Sequence, residues 1–354
     1  MPGKSIDVLF LGGTSIDLIQ NGRYAGKFSA SVGGSVTNSA IISAKLGLKT
    51  AMLSRIGKDP LSDFALQTLR SCQVNISGII QDPDIRTPLA IANIDRTGNS
   101  TYTFYKNPAR SSIVPLKTVP KSLLNTCKFL HFGSSFSYQK ETFIETLKYI
   151  RHLKKRGVFM SYDPNLRPYA LKDKKGTRKR VLRLLKQVDL AKLSLLDLKF
   201  LTGQENPEKG LKKLKTQLKC EIILTLGIKG AMHMSLRTRS DACPVPERSE
   251  WYGEATEDEM SEGVPSPQGE ANLNLIKVPA FKVKVADTIG AGDAFTAGIL
   301  YKIARIGKKQ VFSDIKPHLT FASAISAIIC TRPGANKALK GPGQVRSFLA
   351  KHAD

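Results

Sequence analysis

The sequence is short of cysteine, of tryptophan and of acidic residues, and it carries no long apolar run. Its five cysteines (Cys72, Cys127, Cys220, Cys243 and Cys330) are scattered along 354 residues, with no C-x-x-C pair and no Cys/His cluster. That pattern argues against a disulfide framework and against structural zinc, and it suits a reducing cytoplasm. The longest apolar stretch toward the C-terminus, residues 324–330, falls far short of the ~20 residues that span a bilayer. Near the start, Val8-Leu9-Phe10-Leu11 is apolar, but Asp7 precedes it and no small-residue cleavage site follows a long core. A secretory signal is therefore not expected, and the chain reads as cytoplasmic. Asp and Glu number 29 against 54 Lys and Arg, giving a net charge of +25. Such a charge suits a nucleic-acid binder, an enzyme for anionic substrates, or a lysine-rich background. No RNA-stacking motif or helix-turn-helix pattern supports the first. A nucleic-acid partner is not expected.

What is present is an alternation of short apolar strands and helical periodicity. Residues 6–11, 129–132, 158–162, 189–193 and 221–226 read as strands. Residues 37–46, 141–156, 176–187, 195–202 and 207–218 read as helices, the first ending at Gly47. This rhythm predicts a three-layer α/β domain with a mostly parallel sheet, and the length suits one large domain or two ordinary ones. Segments 20–31 and 87–106 break it with polar/apolar alternation and turn residues, and read as hairpins of a small separate β layer. Residues 236–274 lack periodicity; within them, 247–270 hold eight carboxylates and one arginine. A mobile acidic insertion is expected there.

The most informative stretch is Asp287-Thr288-Ile289-Gly290-Ala291-Gly292-Asp293-Ala294-Phe295, preceded by the strand-like Val283-Lys284-Val285 and followed by helical periodicity to residue 306. Gly290, Ala291 and Gly292 lack bulk, so their backbone N–H groups can approach an oxyanion at a helix start. Asp293 stands beside that cradle, placed to take a proton from a nucleophile attacking a bound phosphate. The plainer reading makes Asp293 a helix N-cap and the glycines a tight turn. Known nucleotide motifs do not fit: there is no G-x-x-x-x-G-K-[ST], and Phe295 occupies the place of a third dinucleotide-loop glycine.

This stretch resembles the C-terminal signature of the ribokinase-like (PfkB) carbohydrate kinases, D-T-x-G-A-G-D-x-F. A second resemblance lies in Gly33-Gly34-Ser35-Val36-Thr37-Asn38-Ser39-Ala40, followed by Leu46-Gly47 and Ile56-Gly57-Lys58-Asp59, the family's G-G-x-x-x-N-x-A…L-G…G-x-D. Asp163-Pro164-Asn165-Leu166-Arg167 resembles the D-P-N-x-R of the fructokinase and 2-keto-3-deoxygluconate-kinase-like branch. The likeness runs from about residue 6 to 350 and omits 236–274.

The resemblance implies a single ribokinase-like α/β/α unit over 1–354 with a small β-sheet lid, from about 14–32 and 86–110, and ATP-dependent transfer of the γ-phosphoryl group to a primary sugar hydroxyl. It implies Asp293 as catalytic base, with Gly290, Ala291, Gly292 and Arg167 stabilising the phosphoryl group. Asp17, Gly33, Gly34, Asn38 and Lys106 fall on sugar-binding positions, Lys106 where arginine is usual. Ser194, Thr225, Gly227, Gly230 and Ser323 fall on the nucleotide side. Asp197 takes the place of an acid that organises Mg²⁺ through water, and Asp287 lies near a monovalent-cation site, K⁺ among the candidates. The implied partners are a sugar (fructose first, an acidic sugar such as 2-keto-3-deoxygluconate second), ATP, and a second copy joined through the lid. A non-catalytic, nucleic-acid-binding relative is the rival of a different class.

Overall fold

The computed structural model describes residues 5–20, 27–94, 100–105, 107–236 and 273–352. Numbered in chain order, its strands are β1 (Val8–Leu11), β2 (Ser15–Gln20), β3 (Phe28–Gly33), β4 (Thr50–Gly57), β5 (Asn75–Asp82), β6 (Leu89–Ile94), β7 (Ser100–Tyr105), β8 (Phe129–Gly133), β9 (Phe159–Asp163), β10 (Leu190–Ser194), β11 (Glu221–Thr225), β12 (Ala231–Leu236) and β13 (Leu273–Val278). Nine of them form one sheet in the order β13-β12-β11-β10-β9-β8-β1-β4-β5. Pairing is parallel from β11 to β5 and antiparallel at the β11-β12-β13 edge. The mostly parallel sheet is as expected.

The helices are α1 (Ser35–Lys45), α2 (Pro60–Ser71), α3 (Lys121–Thr126), α4 (Ser134–Tyr138), α5 (Lys140–Lys154), α6 (Lys174–Leu185), α7 (Leu195–Thr202), α8 (Pro207–Lys215), α9 (Ala291–Ile306), α10 (Lys308–Ser313), α11 (Lys316–Cys330) and α12 (Pro342–Ala350). Strand β1 shows why two helical layers are needed. Leu9 and Leu11 point into the core shared with α5 and α6, while Val8 and Phe10 point into the core shared with α1 and α9. A strand with both faces covered reads as an unbroken apolar run. Truncating one such residue, Leu9→Ala, is expected to destabilise the fold by about 2–5 kcal/mol.

The two rhythm-breaking segments form a four-stranded sheet ordered β3-β2-β6-β7. Each hairpin is antiparallel, and β2 joins β6 in parallel. The first hairpin begins at Ser15, earlier than the alternation over 20–31 suggests and close to the lid bound of about 14, so Asp17 lies within a strand of this small sheet. Two expectations need correction. Val283-Lys284-Val285 is not a strand; β13 ends at Val278 and the chain runs irregularly to the glycine-rich turn. The alternation there is that of a half-buried strand, but Val285 is exposed, and Ala286 N donates to Cys330 O at the end of α11. Residues 236–274 do not begin and end as loop, because Leu236 closes β12 and Leu273 opens β13, the two residues pairing. Residues 237–272 lie outside the described residues, and with them the expected mobility of the insertion.

Candidate active site

The parallel strands end at one edge, and the small sheet lies over that edge. A cleft of about 1240 Å³ opens between them, lined by Asp17, Gly34, Asn38, Arg167, Gly292 and Asp293 among others. Ser194, Asp197, Thr225, Gly227 and Gly290 line it as well. Residues spread from β2 to α9 in the sequence thus meet in one space.

The start of α9 is shaped by Gly290, its N-cap, which takes a left-handed φ of 77°. A Cβ there would lie 2.6 Å from the Cβ of Ala335, so glycine is required both for the dihedral and for the close approach. Asp287 staples the same junction. Its Oδ1 accepts from Ile289 N at 2.9 Å and its Oδ2 from Gly334 N at 2.8 Å. Ala291 N is taken up within the turn, donating to Thr288 O at 3.3 Å, so it is Gly290 and Gly292 that line the cleft at the positive end of the helix.

Asp293 follows in the first turn, and it is not the N-cap that the plainer reading made it. Its Oδ1 accepts from Ser35 Oγ at 2.6 Å and its Oδ2 from Asn38 Nδ2 at 2.9 Å. Burial raises its carboxyl above the ordinary range; the bonds from Ser35 and Asn38 pull it down, Asp163 pushes it up and Lys192 pulls it down. The result is a buried carboxylate more basic than a free one, beside an anion cradle. That suits a proton acceptor.

Asp17 enters from the small sheet. Burial pushes its carboxyl up to about 6, with a bond from Ser15 opposing and the charge of Asp293 adding. Gly33 does not line the cleft; a Cβ on it would fall 2.2 Å from the Asp17 carboxyl, so its role is to leave room for that side chain. Gly34, with φ 98°, is the N-cap of α1 and would strike Gly13 O if it carried a Cβ.

Arg167 does not pair with Asp163. Its Nη1 donates to Leu166 O at 3.0 Å, and no carboxylate pairs with it among the described residues. Asp163 instead meets Lys192 Nζ at 2.7 Å, both side chains buried. Lys192 was not among the expected site residues, yet its ammonium approaches the cradle, lying 3.1 Å from where a Cβ on Gly292 would stand. The signal for it was a lysine inside the apolar strand Leu190–Ser194, which must find a buried partner.

Several expected residues are placed differently. Asp197 is fully buried and forms a capping box with Ser194; its Oδ2 accepts from Ser194 N and Oγ, and its Oδ1 from Leu166 N at 2.7 Å. Both oxygens thus tie β10, α7 and the loop at Leu166 together at the floor of the cleft. Ser323 is buried in α11, away from the cleft lining. Gly230, φ 91°, is held by the close approach of Val278 O and serves the turn into β12. Ala291 lies in the first turn of α9 without lining the cleft, and Lys106 lies outside the described residues.

The pfkB family carbohydrate kinase pattern matches residues 5–249 and 270–340. The chain belongs to this family. It is a sugar kinase, and the expected fold and enzyme class hold. Among its relatives is Fructokinase-1 of Zea mays, 26% identical over 331 residues that cover 92% of this chain and 90% of the maize one. The fructokinase of Klebsiella pneumoniae is 26% identical over 339 residues, covering 96% and 97%. The fructokinase of Vibrio cholerae O395, solved with fructose, ADP and calcium ion bound, superposes with a TM-score of 0.78 at 26% identity, covering 98% and 99%. Among the described residues no helix of this pfkB kinase is long and apolar enough to cross a membrane.

Proposed function

We propose that this kinase transfers the γ-phosphoryl group of ATP to a primary hydroxyl of fructose. The observation that carries the reading is the meeting, in one cleft, of the buried Asp293 carboxylate at the α9 amide cradle with Asp17 and Asn38. Asp17 accepts from sugar hydroxyls, and Asn38 offers both a donor and an acceptor. Asp293 receives the proton of the attacking hydroxyl. Even raised, a carboxyl is far more acidic than an alcohol, so the proton moves late and Asp293 first orients the nucleophile. The amides of Gly290 and Gly292, with Arg167 and Lys192, face the charge spread over the transferring group. Thr225 and Gly227, half-buried and exposed at the end of β11, flank the nucleotide.

Mg²⁺, when bound with ATP, neutralises phosphate charge. Its ligands in this reading are chiefly phosphate oxygens and water, the usual setting of nucleotide-bound Mg²⁺. A monovalent cation such as K⁺ belongs to the same reading, near the turn that Asp287 holds through two backbone amides. The small sheet acts as a lid that excludes water, and its outer strands β3 and β7 offer edges for a second copy. The four described cysteines, Cys72, Cys127, Cys220 and Cys330, are free, which agrees with the cytoplasm.

A substrate panel of fructose, ribose, 2-keto-3-deoxygluconate and nucleosides tests the reading, with Asp293→Asn alongside. Fructose is expected to give the highest kcat/KM, and Asp293→Asn to lower kcat by orders of magnitude with ATP binding retained. Preference for the acidic sugar would move the assignment to that branch, where Arg167 would meet the carboxylate. Near-normal turnover by Asp293→Asn would remove the base.

A further inference from the structure

We infer that Ser35 is a positioning residue for phosphoryl transfer: its hydroxyl, oriented by Asn165, fixes the Asp293 carboxylate that receives the substrate proton. The inference rests on the kinase reading of Asp293 given above. A serine hydroxyl has one proton to give and lone pairs to accept with. Asn165 Nδ2, which can only donate, reaches Ser35 Oγ at 2.7 Å. That leaves the Ser35 proton for Asp293 Oδ1, at 2.6 Å. The direction of both bonds follows from donor chemistry alone.

Ser35 does not behave as a helix-start serine. Gly34 holds the N-cap position of α1, and no side chain caps the helix. A capping serine would accept an amide of its own helix. Ser35 instead gives its proton to a residue 258 positions away. Asn165, behind it, is held in an uncommon conformation, with φ 43° in a residue other than glycine. Its backbone N donates to Asp163 Oδ1 at 3.0 Å, and Asp163 is in turn ion-paired with Lys192 at 2.7 Å. Strained backbone of this kind persists where the surroundings over-determine it, as at functional sites. A chain of polar contacts therefore runs from the buried Asp163–Lys192 pair, through Asn165 and Ser35, to the oxygen of the proton acceptor.

Asn38 holds the other oxygen of Asp293 at 2.9 Å. The charged groups that face Asp293 are Asp17 from β2, Asp163 at the end of β9 and Lys192 from β10; α1 presents the neutral Ser35 and Asn38. On the other side of α9, α11 contributes Ser326, which donates to Ala291 O rather than to the carboxylate. Ser35 is thus a neutral donor that stabilises the ionised form directly. Its removal must make Asp293 harder to ionise.

The test compares Ser35→Ala, Ser35→Thr, Asn165→Gly and the double variant Ser35→Ala/Asn165→Gly. Glycine at 165 accepts the left-handed backbone, so it removes the amide without adding strain. Two quantities are read: the pH dependence of kcat for sugar phosphorylation, and the ¹³C carboxyl titration of Asp293 in the ligand-free protein, assigned with Asp293→Asn. Ser35→Ala is expected to move both the acid limb and the carboxyl titration upward by about one pH unit and to lower kcat about tenfold, with KM for ATP unchanged. Ser35→Thr is expected to restore both. Asn165→Gly is expected to shift the titration in the same direction, and the double variant no further than Ser35→Ala. A titration left in place by Ser35→Ala, or a full additional shift in the double variant, overturns the inference. If no sugar is phosphorylated by the unaltered enzyme, the kinase reading of the site fails, while the carboxyl titration still decides whether Ser35 controls Asp293.

Discussion

Asp17, which the proposed function sets against sugar hydroxyls, sits where burial of its charge penalises the folded state, and the size of that penalty can be worked out. Its carboxyl is pushed from 3.8 to about 6, chiefly by burial. That displacement corresponds to about 3 kcal/mol. Because the folded-state value lies above the unfolded one, the penalty is present in full above about pH 6. It fades as pH falls and is gone below about pH 4, where both states are protonated. Asp17→Asn removes the charge while keeping the shape, and Ser15 still finds an acceptor in the amide oxygen. At pH 8 the variant is expected to be more stable by about 1–3 kcal/mol, a rise in Tm of about 1–4 °C for a chain of this size. The gain should shrink between pH 6 and pH 4. Its counterpart is a rise of about tenfold or more in KM for the sugar, since the amide gives up one acceptor and turns a donor toward the hydroxyls. Urea unfolding at pH 8 and pH 4.5, followed by far-ultraviolet circular dichroism, reads the stability arm. An Asp17→Asn protein that is less stable at pH 8, or whose advantage does not narrow on acidification, would refute the reasoning.

Three further outcomes follow from other contacts. Lys192→Met leaves Asp163 and Asp197 buried without their cation, and should lower unfolding free energy by about 3–5 kcal/mol at neutral pH. The loss should ease in acid, because Asp197, already raised by burial and by Asp163, then takes up a proton; a urea midpoint unchanged at both pH values would contradict this. Gly290→Ala meets both a left-handed backbone and Ala335, whereas Gly157→Ala, φ 72° with nothing within 4 Å, meets the backbone strain alone. Gly157→Ala should lose about 1–2 kcal/mol and keep its activity, while Gly290→Ala should lose more and most of its kcat; equal losses would remove the Ala335 contact from the account. Replacing K⁺ with a bulky organic cation should lower kcat of the unaltered enzyme and leave Asp287→Asn, already impaired, indifferent; equal sensitivity in both would detach the cation from Asp287.

How far the sequence reveals this molecule depends on how local each cause is. Buried parallel strands such as Phe129–Gly133 and Glu221–Thr225 declare themselves as short apolar runs, and α5 or α6 as periodic ones, so their positions are readable within a few residues. Strands β4 and β5 escaped because Ser54 and Arg55 interrupt one, and Gly78 and Gln81 the other. The site divides in the same way. Gly290 to Asp293 is legible because cradle and acid are contiguous. Ser35, Asn165 and Lys192 are not, because each acts on a partner brought by the fold.

Yet a trace of these distant partnerships is present in the strands themselves. Lys192 in β10 and His131 in β8 are polar residues inside apolar runs, and each must be satisfied or neutralised on burial. His131, fully buried, is held neutral with its pKa lowered to about 3 by burial and by Lys192, and its Nδ1 meets Ser161 Oγ at 3.0 Å. Strand register places His131 opposite Ser161 and Ser161 opposite Leu190. Because side chains alternate, moving two residues up each strand brings Asp163 and Lys192 onto the same face, one step nearer Asp293. The polar residues therefore form a column on one face of the sheet, rising to Asp293. Reading that column from sequence requires the order β8-β9-β10, which parallel strands joined in succession by right-handed crossovers supply, and the register of each pair, which the folded sheet sets.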